Sequence, residues 1–327
     1  MVLQFSAVAF EELPGWNDDT ILDAVPALLA SAKIVLEKQQ SFDHESPFLF
    51  YQEVSKLWSH QKDEVFWRQV LKKFFIPHRL SFGEQTEAFF TGYYEPLLRG
   101  SLKCYGSYQT PLYKLPPFPT RIPRQDIVNG ALTGKNLELV WVDDPIGAFF
   151  LQIQGSGRVC LENGEILHLG YDGTNQHPYY AIGRTLVKRG IMAASEVTLQ
   201  TLQTWLREHP AESESLMSEN TSYVFFKLLT GEGPLGTQGV PLTPQRSLAV
   251  DPVYHPLGRL MWVDLPHPEQ KNSRLQHLMV AQDTGGAIKG GLRGDYFWGF
   301  GDSAERCAGQ MNVRGTLYAL LPIQDDR

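Results

Sequence analysis

Residues 278–301, LMVAQDTGGAIKGGLRGDYFWGFG, concentrate the groups of this chain best suited to moving a proton. Asp283 follows a short apolar run (278–281) that reads as a strand and opens a Thr284-Gly285-Gly286 turn. Asp295 lies between Gly294 and the aromatic run Tyr296-Phe297-Trp298. Around the two acids stand Gly285, Gly286, Gly290, Gly291, Gly294 and Gly299. Glycine permits backbone that bulkier residues refuse, and lets a ligand approach the main chain. A carboxyl beside three aromatics is partly desolvated, which raises its pKa and holds its proton near neutrality. That is the requirement for a general acid. The same pattern also reads as a glycine-rich turn with solvated aspartates and core aromatics, so spacing alone leaves both readings open.

The elements that must hold these acids are mostly short strands. An aromatic strand, Ala88-Phe89-Phe90-Thr91-Gly92-Tyr93-Tyr94-Glu95, ends at Pro96 and offers Thr91, Tyr93, Tyr94 and Glu95 either to a groove or to a core. Residues 137–141, 148–154 and 159–161 read as strands, with 166–170 pairing to them. Gln154-Gly155-Ser156-Gly157 then forms a tight turn that presents backbone N–H groups and an amide, or an ordinary hairpin. It is not the Gly-x-Ser-x-Gly elbow of a serine hydrolase. Residues 220–226, 247–251, 256–265 and 315–321 complete the strands. Apolar spacing predicts helices over 21–40 and 62–75, the latter with Val65, Phe66, Val70, Leu71 and Phe74 on one face; both read as packing elements only. Further helices are expected over 123–131, 179–189 and 195–208. A proline-rich stretch after Pro96 and a Gly/Pro-rich stretch over 231–244 mark crossings between domains.

Composition bounds the function. The chain has 327 residues, enough for two domains with cores, and 43% apolar and 20% charged residues suit a globular protein. A net charge of −7 argues against a nucleic-acid partner. Cys104, Cys160 and Cys307 are odd in number and far apart, and no histidines share ligand spacing; no metal and no cofactor are expected. No apolar run approaches the length of a membrane span. The N-terminal residues show no basic signal region and no cysteine for lipidation.

Seven segments, FTGYYEP, QTPLYKLPP, LQIQGSG, VFFK, SLAVDPVYHPLG, AQDTGGAIKG and RGDYFWGFG, occur in the order and spacing that resemble the membrane-bound lytic murein transglycosylase A (MltA) family. The resemblance runs from about residue 89 to 321, and its C-terminal part resembles the three-aspartate (3D) domain. It implies a mainly β fold with peripheral helices (α+β). A double-psi β-barrel domain would be built from 1–96 and 228–327, and a smaller β-rich domain (97–227) inserted, with a substrate groove at their junction. It implies Asp295 as the single catalytic acid/base, Asp283 and Asp251 as supporting acids, and Thr91, Tyr93, Tyr94, Gln154, Gly155 and Ser156 as groove residues. Tyr296 and Trp298 are expected to join them through stacking on sugar rings. Glu95 matches no position of assigned role.

The implied activity is non-hydrolytic cleavage of the β-1,4 bond between N-acetylmuramic acid and N-acetylglucosamine. Glycosidases normally use two carboxyl groups. Here the sugar's own C6 hydroxyl attacks, so nucleophile and electrophile share one molecule and one carboxyl suffices. An inverting hydrolase with Asp283 or Asp251 as base, and a non-catalytic expansin-like glycan-binding module, are the alternatives. The expected partners are peptidoglycan glycan strands bound by a monomer in the cell envelope. Relatives usually carry a signal and a lipid-anchoring cysteine, so a membrane is reached only through an anchor this sequence does not show.

Overall fold

The computed structural model describes residues 2–37, 46–57, 63–118, 121–230 and 233–323. The ends of two predicted segments, residues 38–40 and Lys62, and residues 231–232 of the Gly/Pro-rich crossing lie outside them. The chain is mainly β with helices. In chain order the strands are β1 (Gln4–Ala7), β2 (Phe75–Ser81), β3 (Ala88–Glu95), β4 (Leu97–Ser101), β5 (Thr110–Tyr113), β6 (Glu138–Val142) and β7 (Gly157–Leu161). They continue with β8 (Ile166–Thr174), β9 (Val224–Leu228), β10 (Ser247–Ala249), β11 (Leu260–Pro266), β12 (Arg274–Asp283), β13 (Arg293–Phe300) and β14 (Asn312–Pro322). Two compact units share them. One comprises Met1–Tyr93, Leu235–Gly299 and Met311–Arg327; the other comprises Tyr94–Pro234 and Phe300–Gln310.

In the first unit the strands run β1-β2-β14-β11-β12-β10-β13-β3, and β3 pairs back to β14 from Asn312↔Thr91 to Gly315↔Ala88. That pairing closes the sheet into a barrel, which leaves the strands of the ring no free edge. The three-residue β10 is central: it pairs parallel with β12 and antiparallel with β13. Helices α1 (Val25–Glu37), α2 (Ser46–Leu57) and α3 (Glu64–Phe74) cover one side of the sheet. Pro26 is the second residue of α1, where its missing N–H costs no helical bond. Asp63 caps α3 by accepting from Val65 N. The buried stripe of α3 is Trp67, Val70, Leu71 and Phe74, which keeps three residues of the predicted face with Phe66 partly buried beside them; Val65 stands exposed and Trp67 takes its place. With Trp16, Leu28, Phe50, Trp262 and Leu278 it forms the main core.

The second unit has a six-stranded sheet in the order β5-β6-β4-β7-β8-β9. Its helices in chain order are α4 (Arg124–Val128), α5 (Pro145–Gln154), α6 (Gly183–Lys188), α7 (Leu199–Glu208), α8 (Pro210–Ser218) and α9 (Asp302–Gln310). The strand expected over 148–154 is instead helix α5. Asp144 accepts from Ile146 N and Gly147 N at the N-cap, Pro145 opens the first turn, and Gly155 closes the helix at φ +81°. Ala148 and Leu151 pack on the sheet, while Ile146, Phe149 and Phe150 pack with Leu186, Trp205, Leu206 and Met217 of the neighbouring helices. An all-apolar helix buried on two sides has no polar face, so its period does not show in the sequence. Helices α8 and α9 were not expected.

Candidate active site

The site begins with Ala249. It pairs with Asp283 on one side and with Asp295 on the other. The register between β10 and β12 slips here: Leu248 pairs with Ala281 but Ala249 pairs with Asp283, so Gln282 is stepped over. Such a bulge re-aims one side chain without ending the pairing. Laterally paired residues share a face, so both carboxyls flank the small Ala249 methyl, their Cα atoms two strand spacings or about 10 Å apart. Without the extra residue Gln282 would stand there. Instead it is buried on the far side, where Ser247 Oγ donates to its Oε1 and its Nε2 donates to Ala27 O and Ser31 Oγ of α1.

Strand β3 completes the face. Thr91 and Tyr93 are two residues apart and therefore point the same way. Thr91 Oγ1 donates to Asp295 Oδ1 at 2.6 Å, and Tyr93 O–H donates to Asp283 Oδ2 at 3.1 Å. The Tyr93 ring lies 5.1 Å from that of Phe297, which alternation puts on the same face of β13 as Asp295. Arg293, on that face as well, donates from Nη2 to Thr91 Oγ1 at 2.7 Å. A hydroxyl has one proton to give, so accepting from Arg293 commits the Thr91 proton to Asp295.

The three acids differ in their surroundings. Burial pushes the Asp295 carboxyl up to about 6; the Thr91 hydrogen bond and the Arg293 cation pull the other way, and the charge of Asp283 adds to the rise. Asp283 is also raised by burial, but against four donors: Thr237 N, Thr237 Oγ1 and Thr284 N on Oδ1, and Tyr93 on Oδ2. Asp251 is nearly inaccessible, and the N–H groups of Gly290 (2.7 Å) and Val253 (3.1 Å) hold it below the usual carboxylate range. Gly290 has φ +101°, which suits only glycine, and His255 Nε2 meets Gly291 O at 2.8 Å. Desolvation lowers His255 to about 4, so it is neutral and acts as a donor to that carbonyl. Asp251 and His255 thus anchor the 284–292 loop. Among the described residues no group of three or more His, Cys, Asp or Glu could hold a metal ion.

The chain is similar in sequence and fold to known proteins. Residues 89–121 and 117–227 match the MltA specific insert domain, and residues 246–321 match the 3D domain. The lytic transglycosylase LtgG of Burkholderia pseudomallei shares 38% identity over 99% of this chain and 97% of its own, with a TM-score of 0.68. The chain belongs to the MltA family. The Escherichia coli (strain K12) membrane-bound lytic murein transglycosylase A is 34% identical over 238 residues, 71% of this chain. That alignment spans 65% of the curated relative's length. The structure of E. coli MltA with bound chitohexaose superposes with a TM-score of 0.79 at 27% identity, covering 98% of this chain and 95% of that one.

Of the residues that the MltA resemblance pointed to, Asp295, Thr91, Asp283 and Tyr93 meet on one face of the barrel. Tyr296 and Trp298 do not: as alternate residues of β13 they face the other way, 0% and 7% exposed. Their rings are 4.9 Å apart, and Trp298 Nε1 donates to Met311 Sδ, so both belong to the core and not to a sugar-stacking surface. Gly294 serves packing as well, since a Cβ there would strike Phe90. In the second unit, Gln154 Oε1 accepts from Tyr94 N at 3.3 Å, and Gly155 and Ser156 follow as the end of α5. Tyr94 is buried with its hydroxyl hydrogen-bonded to Glu305, which places its ring in that unit's packing and not on a ligand-facing surface. Ala249, Arg293 and Thr237 were missed by sequence reasoning. Arg293 sits within the quoted RGDYFWGFG segment and was within reach; nothing in the sequence links Thr237, 46 residues before Asp283, to that carboxyl.

Proposed function

We propose that the chain is a lytic transglycosylase that cleaves the β-1,4 bond between N-acetylmuramic acid and N-acetylglucosamine in peptidoglycan without water. The observation that carries this reading is the asymmetry among the acids. Asp295 alone combines a pKa of about 6 with a single hydroxyl donor, whereas Asp283 and Asp251 have their oxygens engaged by neighbouring donors. An inverting hydrolase needs a second, free carboxylate to activate water. Neither neighbour is free. A single acid/base that returns to its starting state within one turnover suits the intramolecular reaction.

In the proposed reaction Asp295, with Thr91 on Oδ1, carries its proton on Oδ2 and donates it to the glycosidic oxygen as the bond to muramic acid C1 breaks. The resulting carboxylate takes the proton from the C6 hydroxyl as O6 bonds to C1. The products are a 1,6-anhydromuramoyl end and a free 4-hydroxyl on the next sugar. Asp295 is reprotonated by the same step. The first unit, with its six-stranded ring, is read as a double-psi barrel. The relative solved with chitohexaose and those named as membrane-bound murein enzymes support a glycan substrate and a working place in the cell envelope. Among the described residues no helix is long and apolar enough to cross a membrane.

Mass spectrometry of digested murein tests the reaction. Anhydro ends are expected; reducing ends would make the chain a hydrolase, and intact murein with bound protein would make it a glycan-binding module.

A further inference from the structure

The second unit contains a cavity of about 510 Å³ that the proposed reaction does not use. It is walled by Tyr113, Phe149, Tyr223 and Met217, and Arg124 and Gln152 reach it from the buried side. Its volume is that of a small-molecule site, and its lining combines apolar walls with a few polar groups, as such sites do.

Arg124 is 4% exposed, burial lowers its pKa to about 10, and no carboxylate among the described residues forms an ion pair with it; the one carboxylate in the cavity lining, Glu214, is exposed and accepts from Gln125 Nε2. Its guanidinium stacks between the rings of Phe149 (4.7 Å) and Tyr223 (5.3 Å). Nε donates to Asn220 O at 2.8 Å and Nη2 to Ser222 O at 2.6 Å. These contacts fix the group in place without neutralising it. A buried cation is ordinarily paired with an anion. Gln152, 5% exposed, donates from its amide to the Tyr223 hydroxyl, which holds the side chain in place, and leaves a second open requirement: its Oε1 is buried and has no donor among the described residues. Buried polar atoms without partners are rare in folded proteins and call for a specific cause. The cavity thus asks for an anion at Arg124 and an N–H donor at Gln152, joined to a small apolar body.

We propose that this cavity binds the C-terminal end of a peptide, with the terminal carboxylate on Arg124, the preceding amide N–H on Gln152 Oε1 and the last side chain among Tyr113, Phe149 and Met217. The carboxylate meets the guanidinium edge not used by Asn220 and Ser222, and the ligand N–H meets Gln152 Oε1, the atom left without a donor while the amide holds Tyr223. A neutral ligand would leave the cation unpaired. A carboxylate without an adjacent N–H would leave Gln152 unpaired. The fixed guanidinium favours a planar, bidentate partner.

The test is binding of N-acetyl-Ala-Ala to the whole chain, followed by calorimetry and by methyl NMR shifts at Met217 and Ile146. The acid is expected to bind at least tenfold more tightly than its C-terminal amide, and Gln152→Leu to weaken the acid at least fivefold with its melting temperature within a few degrees of wild type. Equal affinity for acid and amide, or no shifts at millimolar acid, would overturn the proposal. So would unchanged affinity in Gln152→Leu. Because Arg124→Met removes two bonds to backbone carbonyls and can unfold the unit, the acid/amide comparison on the native protein decides the role of the cation. Comparing D-Ala-D-Ala with L-Ala-L-Ala probes separates a murein peptide from an ordinary protein terminus. Asp295→Asn should leave these affinities unchanged, so the result stands apart from the reading of the glycosidic reaction.

Discussion

Asp283 and Asp295 occupy equivalent places on either side of Ala249, yet one is saturated with donors and the other is nearly bare. Four hydrogen bonds fix Asp283, and one hydroxyl touches Asp295. In a shared low-dielectric face the bare acid is the one that keeps its proton, and the fixed neighbour adds repulsion that helps it do so.

Replacing Asp295 by Asn should lower turnover roughly 10³-fold, the range of a lost general acid/base, while leaving glycan binding intact. Dye-release from labelled murein and a sedimentation assay measure the two. The same change should stabilise the fold. The Asp295 pKa is raised from 3.8 to about 6, so its proton-bound form contributes stability below pH 3.8 that is lost as pH rises through 6. Above pH 6 the Asn variant should gain up to about 3 kcal/mol, seen as a melting-temperature difference that opens between pH 4 and 6.

The pH profile should have its limb near 6. Donation needs the protonated acid, so kcat/KM should fall by about tenfold per pH unit above that value. Thr91 and Arg293 both lower the Asp295 pKa. Thr91→Val should therefore move the limb to higher pH, and so should Arg293→Gln. A limb that stays in place in both variants would remove Asp295 as the titrating group.

Ala249 is the spacer between the acids. Ala249→Val adds two methyls on the face that carries them, where the sheet readily accepts a β-branched residue. The expected result is a folded protein with kcat/KM down roughly tenfold to hundredfold, since misplacing reacting groups by about 1 Å costs that much. Ala249→Gly should cost far less. Steady-state assays with circular dichroism on both variants check this.

Gln282→Leu should destabilise by roughly 2 kcal/mol, because three buried hydrogen bonds go with the amide: Ser31 Oγ keeps its bond to Gln238 Oε1 and Ser247 Oγ still accepts from Thr243 N, but the Ser247 hydroxyl proton loses its acceptor in the interior. Denaturant unfolding gives the value directly.

Much of the arrangement was legible. The aromatic strand before Pro96, the short strands around Asp251 and the glycine-bordered acids all carry local signatures, and the mainly β class followed from them. Helix α5 was misread because AFFLQIQ is apolar throughout and rich in aromatic residues, so a buried helix and a buried strand look alike over that length. Its caps were nevertheless in plain sight: Asp144 and Pro145 before it, Gly155 after it. The faces of β13 were read as a cluster when alternation separates Asp295 from Tyr296 and Trp298. What the sequence hides is register. No local pattern marks the slip at Gln282 or brings Thr237 to Asp283, because both arise from pairing between distant strands.

The skipped residue also ties the N-terminal helices to the chemistry. Gln282 hangs from α1 by two hydrogen bonds, and its own carbonyl accepts from Gln238 N beside Thr237. A helix that first reads as mere padding is therefore a bracket: whatever loosens α1 frees the peptide unit next to Asp283 and lets the strand slide by one, which would trade a carboxylate for an amide at the spot opposite Ala249. In this protein, wear at a distant scaffold would surface first as an enzyme of the right shape with the wrong side chain beside Ala249.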